Sequence, residues 1–516
     1  MKMKLIVSIN LWIIFSFAVN SQENILLIIA DDIGIDYSSG YSSVLDIPSI
    51  PNIDKLASEG ILFENAWSNP LCSPTRATIL TGKYGFRTGV GAPVGGTENP
   101  GISTDEYTLP KALKELAPVY ADACIGKWHL ATTSNGGKDN PNLVGFTHYS
   151  GNKDGGLDDY YLWDKFVDGS KEVVSNYATT ENINDAINWI EDQDSAWFLW
   201  LAFNAVHSPF HKPPDTLHSY GYLSEYTSGE DPVPYYKAMV EAMDSEIGRL
   251  LQYLHGSGQY SSTNIIYVGD NGTSKGVIQS PYNKNQSKGT LYEGGVHVPL
   301  IISGPTVVSP SRKSGALVST VDIFNTVLSM AGIDTENQLH EQTDSKSLLP
   351  VLNNETDTHR SYLYSELFGA AQNNGITVRN AEYHLIIFED GGERFYNINA
   401  DKYENSNLLE NDLTTVEEIN YNILKQYAAS IKDTSGYSST FPVLQNQVKV
   451  TVEGDVIKFE IEPNLHGSCI VISDFFGRTL YQSRIYDKIL NTPKFKSPLI
   501  ISVLNGGRVF SKKIHF

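Results

Sequence analysis

A chain of 516 residues, 41% apolar and 19% charged, is long and apolar enough to bury a large core, which excludes extensive disorder. Its 38 basic and 59 acidic residues leave a net charge of −21, which excludes a general electrostatic grip on nucleic acid or on an anionic membrane. An anionic ligand must then be held by a few locally placed cations.

The chain starts with MKMK, continues in an apolar stretch and reaches small residues at Val19 and Ser21. This pattern predicts a signal peptide over residues 1–21 and hence export. A retained anchor fits less well, because Ser8 and Asn10 interrupt the apolar run, and no later segment has transmembrane character. The three cysteines, Cys72, Cys124 and Cys469, cannot all pair, so no disulfide framework is expected.

Four short apolar runs then end in groups able to do chemistry. NILLIIA runs into Asp31 and Asp32, VYADACIG into Lys127 and His129, WFLWLAF towards His207, and NIIYVG into Asp270 and Asn271. Helix-like stretches such as TTENINDAINWIED and YYKAMVEAMDSEIGRLLQYLH separate them, which predicts an α/β fold of buried, mostly parallel strands covered by helices over residues 22–354. Ligands of such sheets sit outside the carboxyl ends of the strands, so these groups should meet in one cleft. Beyond residue 355, GITVRNAEYHLIIFE and GGERFYNI predict an antiparallel hairpin with a following helix, a smaller α+β subdomain over 355–437. A Ser/Thr-rich stretch precedes β-like alternation, predicting a β-rich terminal domain over 438–516.

The segment LCSPTRATILTGKYGFRTGV sets Cys72 just before a helix that Pro74 can start and Gly82 can end. A helix amino terminus favours developing negative charge, and Arg76 lies one turn further on. On these grounds alone Cys72 could be a thiolate nucleophile. Cys124, inside an apolar run, reads as a packed core thiol.

The pattern Cys72-Ser-Pro74-Thr-Arg76 followed by Leu80-Thr81-Gly82 resembles the signature of the type I sulfatases of the alkaline phosphatase superfamily. PNIDKLASEGILFENAW, GKWHL, GDNG, KGTLYEGGVHVP and FYNINADKYENSNL follow the family order, and the resemblance covers roughly residues 23–435. It implies that a formylglycine-generating or sulfatase-maturating enzyme oxidises Cys72 to formylglycine (3-oxoalanine), whose hydrated aldehyde is the nucleophile. It also implies that Asp31, Asp32, Asp270 and Asn271, with modified Cys72, hold a hard cation, Ca²⁺ or alternatively Mg²⁺. Arg76, Lys127 and Lys288 are the implied sulfate-holding cations, and His129 and His207 the proton-transfer groups. Ser150 is the implied hydroxyl near the sulfate. His211, with Tyr160 and Trp163, is expected to touch sugar, and His297, where the family often has arginine, to contact substrate. Asp36 has no assigned role.

The terminal segment, with SCIVISDFFGRTLYQSR and LIISVLNGGRVF, resembles the sorting domains of the type IX secretion system of Bacteroidetes. That resemblance implies a secreted or cell-surface protein handled by that machinery, acting on sulfated carbohydrate of the ulvan, carrageenan or fucoidan class. A carbohydrate-binding β-sandwich is the alternative for this segment. For the whole chain the alternatives are a phosphodiesterase or phosphonate hydrolase of the same superfamily, or a noncatalytic binder of sulfated glycans.

Overall fold

The computed structural model describes residues 22–432, apart from 42, 43, 45, 96–98 and 100, together with the backbone of strands between 448 and 514. The expected signal peptide over 1–21 and the boundary expected at 438 lie outside the described residues.

Ten strands form the main sheet: β1 (Asn24–Ala30), β2 (Gly60–Trp67), β3 (Ala121–Gly126), β4 (His148–Gly151), β5 (Trp163–Val167), β6 (Ser170–Val174), β7 (Trp197–Ala202), β8 (Thr263–Gly269), β9 (Leu300–Ser303) and β10 (Arg312–Ser319). Their order is β10-β2-β9-β8-β1-β7-β3-β4-β5-β6. The central block β8-β1-β7-β3-β4 is parallel throughout, while β9 on one side and β5 and β6 on the other run antiparallel to their neighbours. The fold is therefore mixed and mostly parallel at its centre.

Side-chain alternation explains why the central strands are apolar at every position. In β1, Ile25, Leu27 and Ile29 join one core with Ala77, Ile79 and Leu80 of the Cys72–Thr81 helix. Leu26, Ile28 and Ala30 join the opposite core with Tyr236, Met239 and Met243 of the Val233–Gly256 helix. β7 divides likewise, with Phe198, Trp200 and Ala202 on one face and Trp197, Leu199 and Leu201 on the other.

A second, antiparallel sheet runs in the order β11 (Leu363–Leu367), β12 (Gly375–Arg379), β13 (Tyr383–Phe388), β14 (Glu393–Asn397). The Thr415–Lys432 helix packs Leu424 and Ala428 against Val378, Leu385 and Phe395 of this sheet. Trp67, Val296 and Leu317 of the main unit share a small core with Leu363. Beyond residue 447 the described backbone forms antiparallel strands, from Val448–Glu453 to Arg508–Ile514, in sheets of three and four. Among the described residues no helix is long and apolar enough to cross a membrane.

The two sheets are also tied by a buried ion pair. Arg360, just before β11, sets Nε 2.7 Å from Asp322 Oδ2, its Nη2 contacts Oδ1, and Nη2 also donates to the Asp344 carbonyl at 2.7 Å. Burial pushes the Asp322 carboxyl up, but Arg360 outweighs this and holds it well below the usual carboxylate range. Asp322→Asn strands the guanidinium and should cost about 3 kcal/mol, read as a lower melting temperature and urea midpoint. Because the folded pKa is the depressed one, the wild-type contribution is present above the unfolded value of about 4 and fades as pH falls below it. The gap between wild type and Asp322→Asn should therefore narrow in acid.

Candidate active site

The register brings the predicted strand ends into one row. Gly126 pairs with Ala202, Ile29 with Ala202, and Ala30 with Gly269, so the residues that follow β3, β1 and β8 emerge side by side. These are Lys127, Asp31 with Asp32, and Asp270 with Asn271. Opposite them stands the Cys72–Thr81 helix, whose first residue is Cys72 and whose ten residues are all buried. Gly82 ends it with φ 67° and donates its N–H to the Thr78 carbonyl at 2.9 Å. A Cβ there would lie 2.8 Å from the Phe324 ring, so both the left-handed turn and the packing demand glycine. The helix thus presents its positive end at Cys72.

Three acids and three cations interlock around this point. Arg76 reaches Asp270 Oδ2 through Nε at 3.1 Å and Nη2 at 2.9 Å, and donates from Nη1 to the Lys127 carbonyl at 2.8 Å. The Lys127 ammonium contacts Asp31, and the Lys288 ammonium contacts Asp32. Arg76, Lys127, Asp31 and Asp270 have no solvent exposure. Burial opposes the charge on Asp32, yet Lys288 and then His207 hold its carboxyl well below the usual range. Burial also opposes the charge on Lys288, and Asp32 more than restores it.

The two histidines flank this network differently. His129 places Nδ1 3.1 Å from the Cys72 sulfur, the position at which a modified side chain would carry oxygen. Burial, then Lys127, Arg76 and Lys288, push the His129 imidazolium well below its ordinary pKa, so the ring is neutral near neutral pH. His207 Nδ1 lies 2.8 Å from the Ser208 carbonyl, which can only accept, so Nδ1 carries the proton and Nε2 faces Asp32 Oδ2 at 3.9 Å. Burial lowers the His207 pKa as well, with Asp32 opposing.

Other expected contacts are not brought into the cluster. Ser150 donates its hydroxyl to Asp185 Oδ2 at 2.6 Å, beside the buried Lys165 ammonium, because alternation along β4 turns it towards the Ala178–Glu191 helix. His211 lies over Tyr160 with ring centroids 4.2 Å apart, and its Nε2 meets the Tyr177 hydroxyl at 3.2 Å. Tyr160 and Trp163 are 2% and 4% exposed, so they are core residues, whereas Tyr222 is 75% exposed. His297 bonds Glu293 at 2.8 Å and the Glu64 carbonyl at 2.9 Å, and lines a separate cavity of about 250 Å³ with Tyr282, Arg379 and Tyr403.

Several supporting residues carried no sequence signal strong enough to find them. Ser73 donates to the His129 carbonyl at 2.8 Å, and Tyr236 donates to the Asp32 carbonyl at 2.7 Å. Asp36 accepts the Thr273 hydroxyl, whose oxygen takes the Gly34 N–H at 3.0 Å, so it ties the loop after Asp32 to the segment after Asn271.

The donor set fits a hard divalent cation. Ligating atoms of Asp31, Cys72 and Asp270 lie within 4.8 Å of one another. Asp31 Oδ1 and Asn271 Oδ1 are buried without a hydrogen-bond partner, while Asn271 Nδ2 is spent on Asp32 Oδ1 at 2.9 Å. Buried oxygens left unpaired in an otherwise bonded cluster are what an ion would satisfy.

Buried acids, an amide and Cys72 at a helix amino terminus, faced by cations, form a site whose donors suit a divalent cation and whose cations suit an anionic group. A family model described as Sulfatase matches residues 23–333, and one described as N-sulphoglucosamine sulphohydrolase, C-terminal, matches residues 285–433. The chain belongs to the sulfatase family, the sulfuric ester hydrolases. It is 30% identical to N-acetylgalactosamine-6-sulfatase of Canis lupus familiaris over 379 residues, 66% of this chain and 68% of that one. It is also 30% identical to arylsulfatase J of Mus musculus over 336 residues, 62% of this chain, and spans 54% of that relative's length. The crystal structure of Ps i-CgsB in complex with k-i-k-neocarrahexaose is 25% identical, with a TM-score of 0.65 over 79% of this chain and 93% of that one.

Two outcomes follow for the site. Ca²⁺ at about a hundred times its Kd should stabilise the wild type by about 2.7 kcal/mol, seen as a rise in melting temperature that Asp31→Ala and Asn271→Ala lose. Burial, reinforced by neighbouring acids, pushes Asp31 and Asp270 up to about 6, so protons compete with the ion and the gain should shrink as pH falls through that value. Ser150→Ala should cost about 1 kcal/mol of stability and leave turnover unchanged, measured by melting and initial rates.

Proposed function

We propose that this sulfatase removes sulfate from a sulfated polysaccharide or its oligosaccharides, with Cys72 in its formylglycine form as the nucleophile. The observation that carries the reading is the position of Cys72, at a helix amino terminus, 3.1 Å from His129 and beside the carboxylates of Asp31 and Asp270. Asp31, Asp32, Asp270 and Asn271 would hold a divalent ion, Ca²⁺ or Mg²⁺, which supplies acidification of an oxygen nucleophile.

The chain's own groups then divide the work. Lys127 and Lys288 contact Asp31 and Asp32 and offer ammonium protons to an incoming sulfate, with the Arg76 charge held behind them. Sulfate arriving beside His207 raises the pKa of its imidazole, so Nε2 can carry a proton to the departing sugar oxygen. His129, kept neutral by burial and three cations, takes a proton from an oxygen at the Cys72 position.

Carrageenan, ulvan and fucoidan oligosaccharides are the substrates to try. Carrageenan comes first, since a neocarrahexaose is bound in a similar structure. Export through residues 1–21 and recognition of residues 438–516 by the type IX machinery complete the proposal, and both rest on the sequence alone. Protein matured with a sulfatase-maturating enzyme should yield a Cys72 peptide bearing an aldehyde by mass spectrometry, and should release sulfate in preference to phosphate from matched esters. Cys72→Ser should abolish turnover, and Lys288→Ala should lower kcat by about a hundredfold. An active preparation whose Cys72 is an unmodified thiol would sink the nucleophile assignment.

A further inference from the structure

Residues 152–156, which follow β4, close over the site from the side of the two histidines. Their backbone is sewn to the end of β3: the Trp128 N–H donates to the Asn152 carbonyl at 2.9 Å, and the His129 N–H to the Lys153 carbonyl at 3.1 Å. Asn152 is buried and braces the turn from within. Its Nδ2 donates to the Gly156 carbonyl at 2.8 Å, and its Oδ1 accepts the Asp154 N–H at 2.9 Å.

Neither Gly155 nor Gly156 lies in the left-handed region, so backbone conformation does not require glycine at either position. Space requires it at one of them. A Cβ on Gly155 would lie 2.4 Å from Nε2 and 2.5 Å from Cε1 of His129, whereas one on Gly156 would meet the His207 ring at 3.4 Å, an ordinary contact. The His129 ring has little room to retreat. Its backbone is left-handed with φ 58°, its carbonyl is held by the Ser73 hydroxyl at 2.8 Å, and its Nδ1 edge already faces the Cys72 sulfur at 3.1 Å.

We infer that Gly155 is a positioning residue for this sulfatase: its bare backbone is the stop against which the His129 ring rests, with Nδ1 aimed at the nucleophile position. The inference rests on the reading of His129 as a proton-transfer group. A side chain at 155 would swing or push the ring off Nδ1's line to position 72. Displacement of a reacting group by about 1 Å can cost up to a hundredfold in rate. The three atoms nearest a Cβ at residue 155 all belong to the His129 ring and none to Lys127 or Lys288, so the loss should fall on kcat and not on KM.

The test compares Gly155→Ala, Gly156→Ala, His129→Ala and the Gly155→Ala/His129→Ala double variant, all matured and assayed on the oligosaccharide that the wild type turns over, or on para-nitrophenyl sulfate. Gly155→Ala should lower kcat by at least about tenfold, with KM within about twofold, and should displace the acidic limb of the pH profile, the limb set by the proton-accepting group. Gly156→Ala should stay within about twofold of the parent, and Gly155→Ala should add no further loss once the His129 ring is gone. An inactive His129→Ala beside a Gly155→Ala indistinguishable from Gly156→Ala overturns the inference while leaving the reading of His129 intact. Full turnover by His129→Ala overturns that reading and the inference with it. Should Gly155→Ala fail to fold while the double variant folds, the ring contact is supported; failure of both makes residue 155 merely structural and overturns the proposal.

Discussion

Three carboxylates at the ends of neighbouring strands must be kept charged where almost no water reaches them, and the rest of this structure is arranged around that constraint. Removing a carboxylate from water costs several kcal/mol unless opposite charge and hydrogen bonds replace the solvent. Here Arg76 spans Asp270 and the Lys127 carbonyl, Lys127 neutralises Asp31, and Lys288 neutralises Asp32. Each cation comes from a separate stretch of chain, so the site can assemble only when the Cys72–Thr81 helix, the end of β3 and the segment before residue 293 are all docked. Apolar packing on both faces of the sheet supplies that docking, since β1 alone contributes Ile25, Leu27 and Ile29 to one core and Leu26, Ile28 and Ala30 to the other.

The same pairing explains how a protein of net charge −21 can act on an anion. The overall charge repels anions, but the local cations are concentrated beside the helix end, each paired with a buried acid. The lysines are thereby held in place before substrate arrives, and little reorganisation remains for the reaction itself. Arg76 differs from them. With Nε and Nη2 on Asp270 and Nη1 on a backbone carbonyl, it fastens the site together.

What was legible in the sequence follows from where side-chain direction is fixed by the backbone. Asp31, Asp32, Lys127, Asp270 and Asn271 each follow an apolar run directly, and a parallel register then leaves them no place but the carboxyl edge of the sheet. Cys72 was legible because Pro74 and Gly82 mark its helix, although the helix begins two residues earlier than Pro74 suggested, with Cys72 itself as its first residue and Gly82 ending it. Ser150, His211 and His297 lie where tertiary packing decides direction: Ser150 one alternation away from the cleft, His211 against a stack of tyrosines, His297 claimed on both nitrogens by Glu293 and the Glu64 carbonyl. Tyr160 and Trp163, which read as sugar platforms in a polar loop, are instead the apolar floor that the loop folds onto. Gly155 was illegible for a different reason. A glycine pair signals a turn, and only the position of the His129 ring reveals that one of the two is kept for space.

Two residues of the site, Asp32 and His129, sit in the left-handed region with φ 60° and 58°. Aspartate and histidine tolerate that conformation better than most side chains, yet it still costs on the order of 1 kcal/mol at each position. In both cases the surroundings enforce the bend. Asp32 has its N–H on Asp270 Oδ1 at 3.2 Å and its carbonyl under the Tyr236 hydroxyl, while His129 has its N–H on Lys153 and its carbonyl under Ser73. The turn at Asp32 lets Asp31 and Asp32 engage different lysines from consecutive positions, which an extended chain would point to opposite faces. The turn at His129 brings the ring back over the helix end instead of letting it continue along β3. Strain at these positions is thus the means by which a flat row of strand ends becomes a concave site, and the hydrogen bonds that hold it there are as much a part of the active centre as the groups that touch substrate.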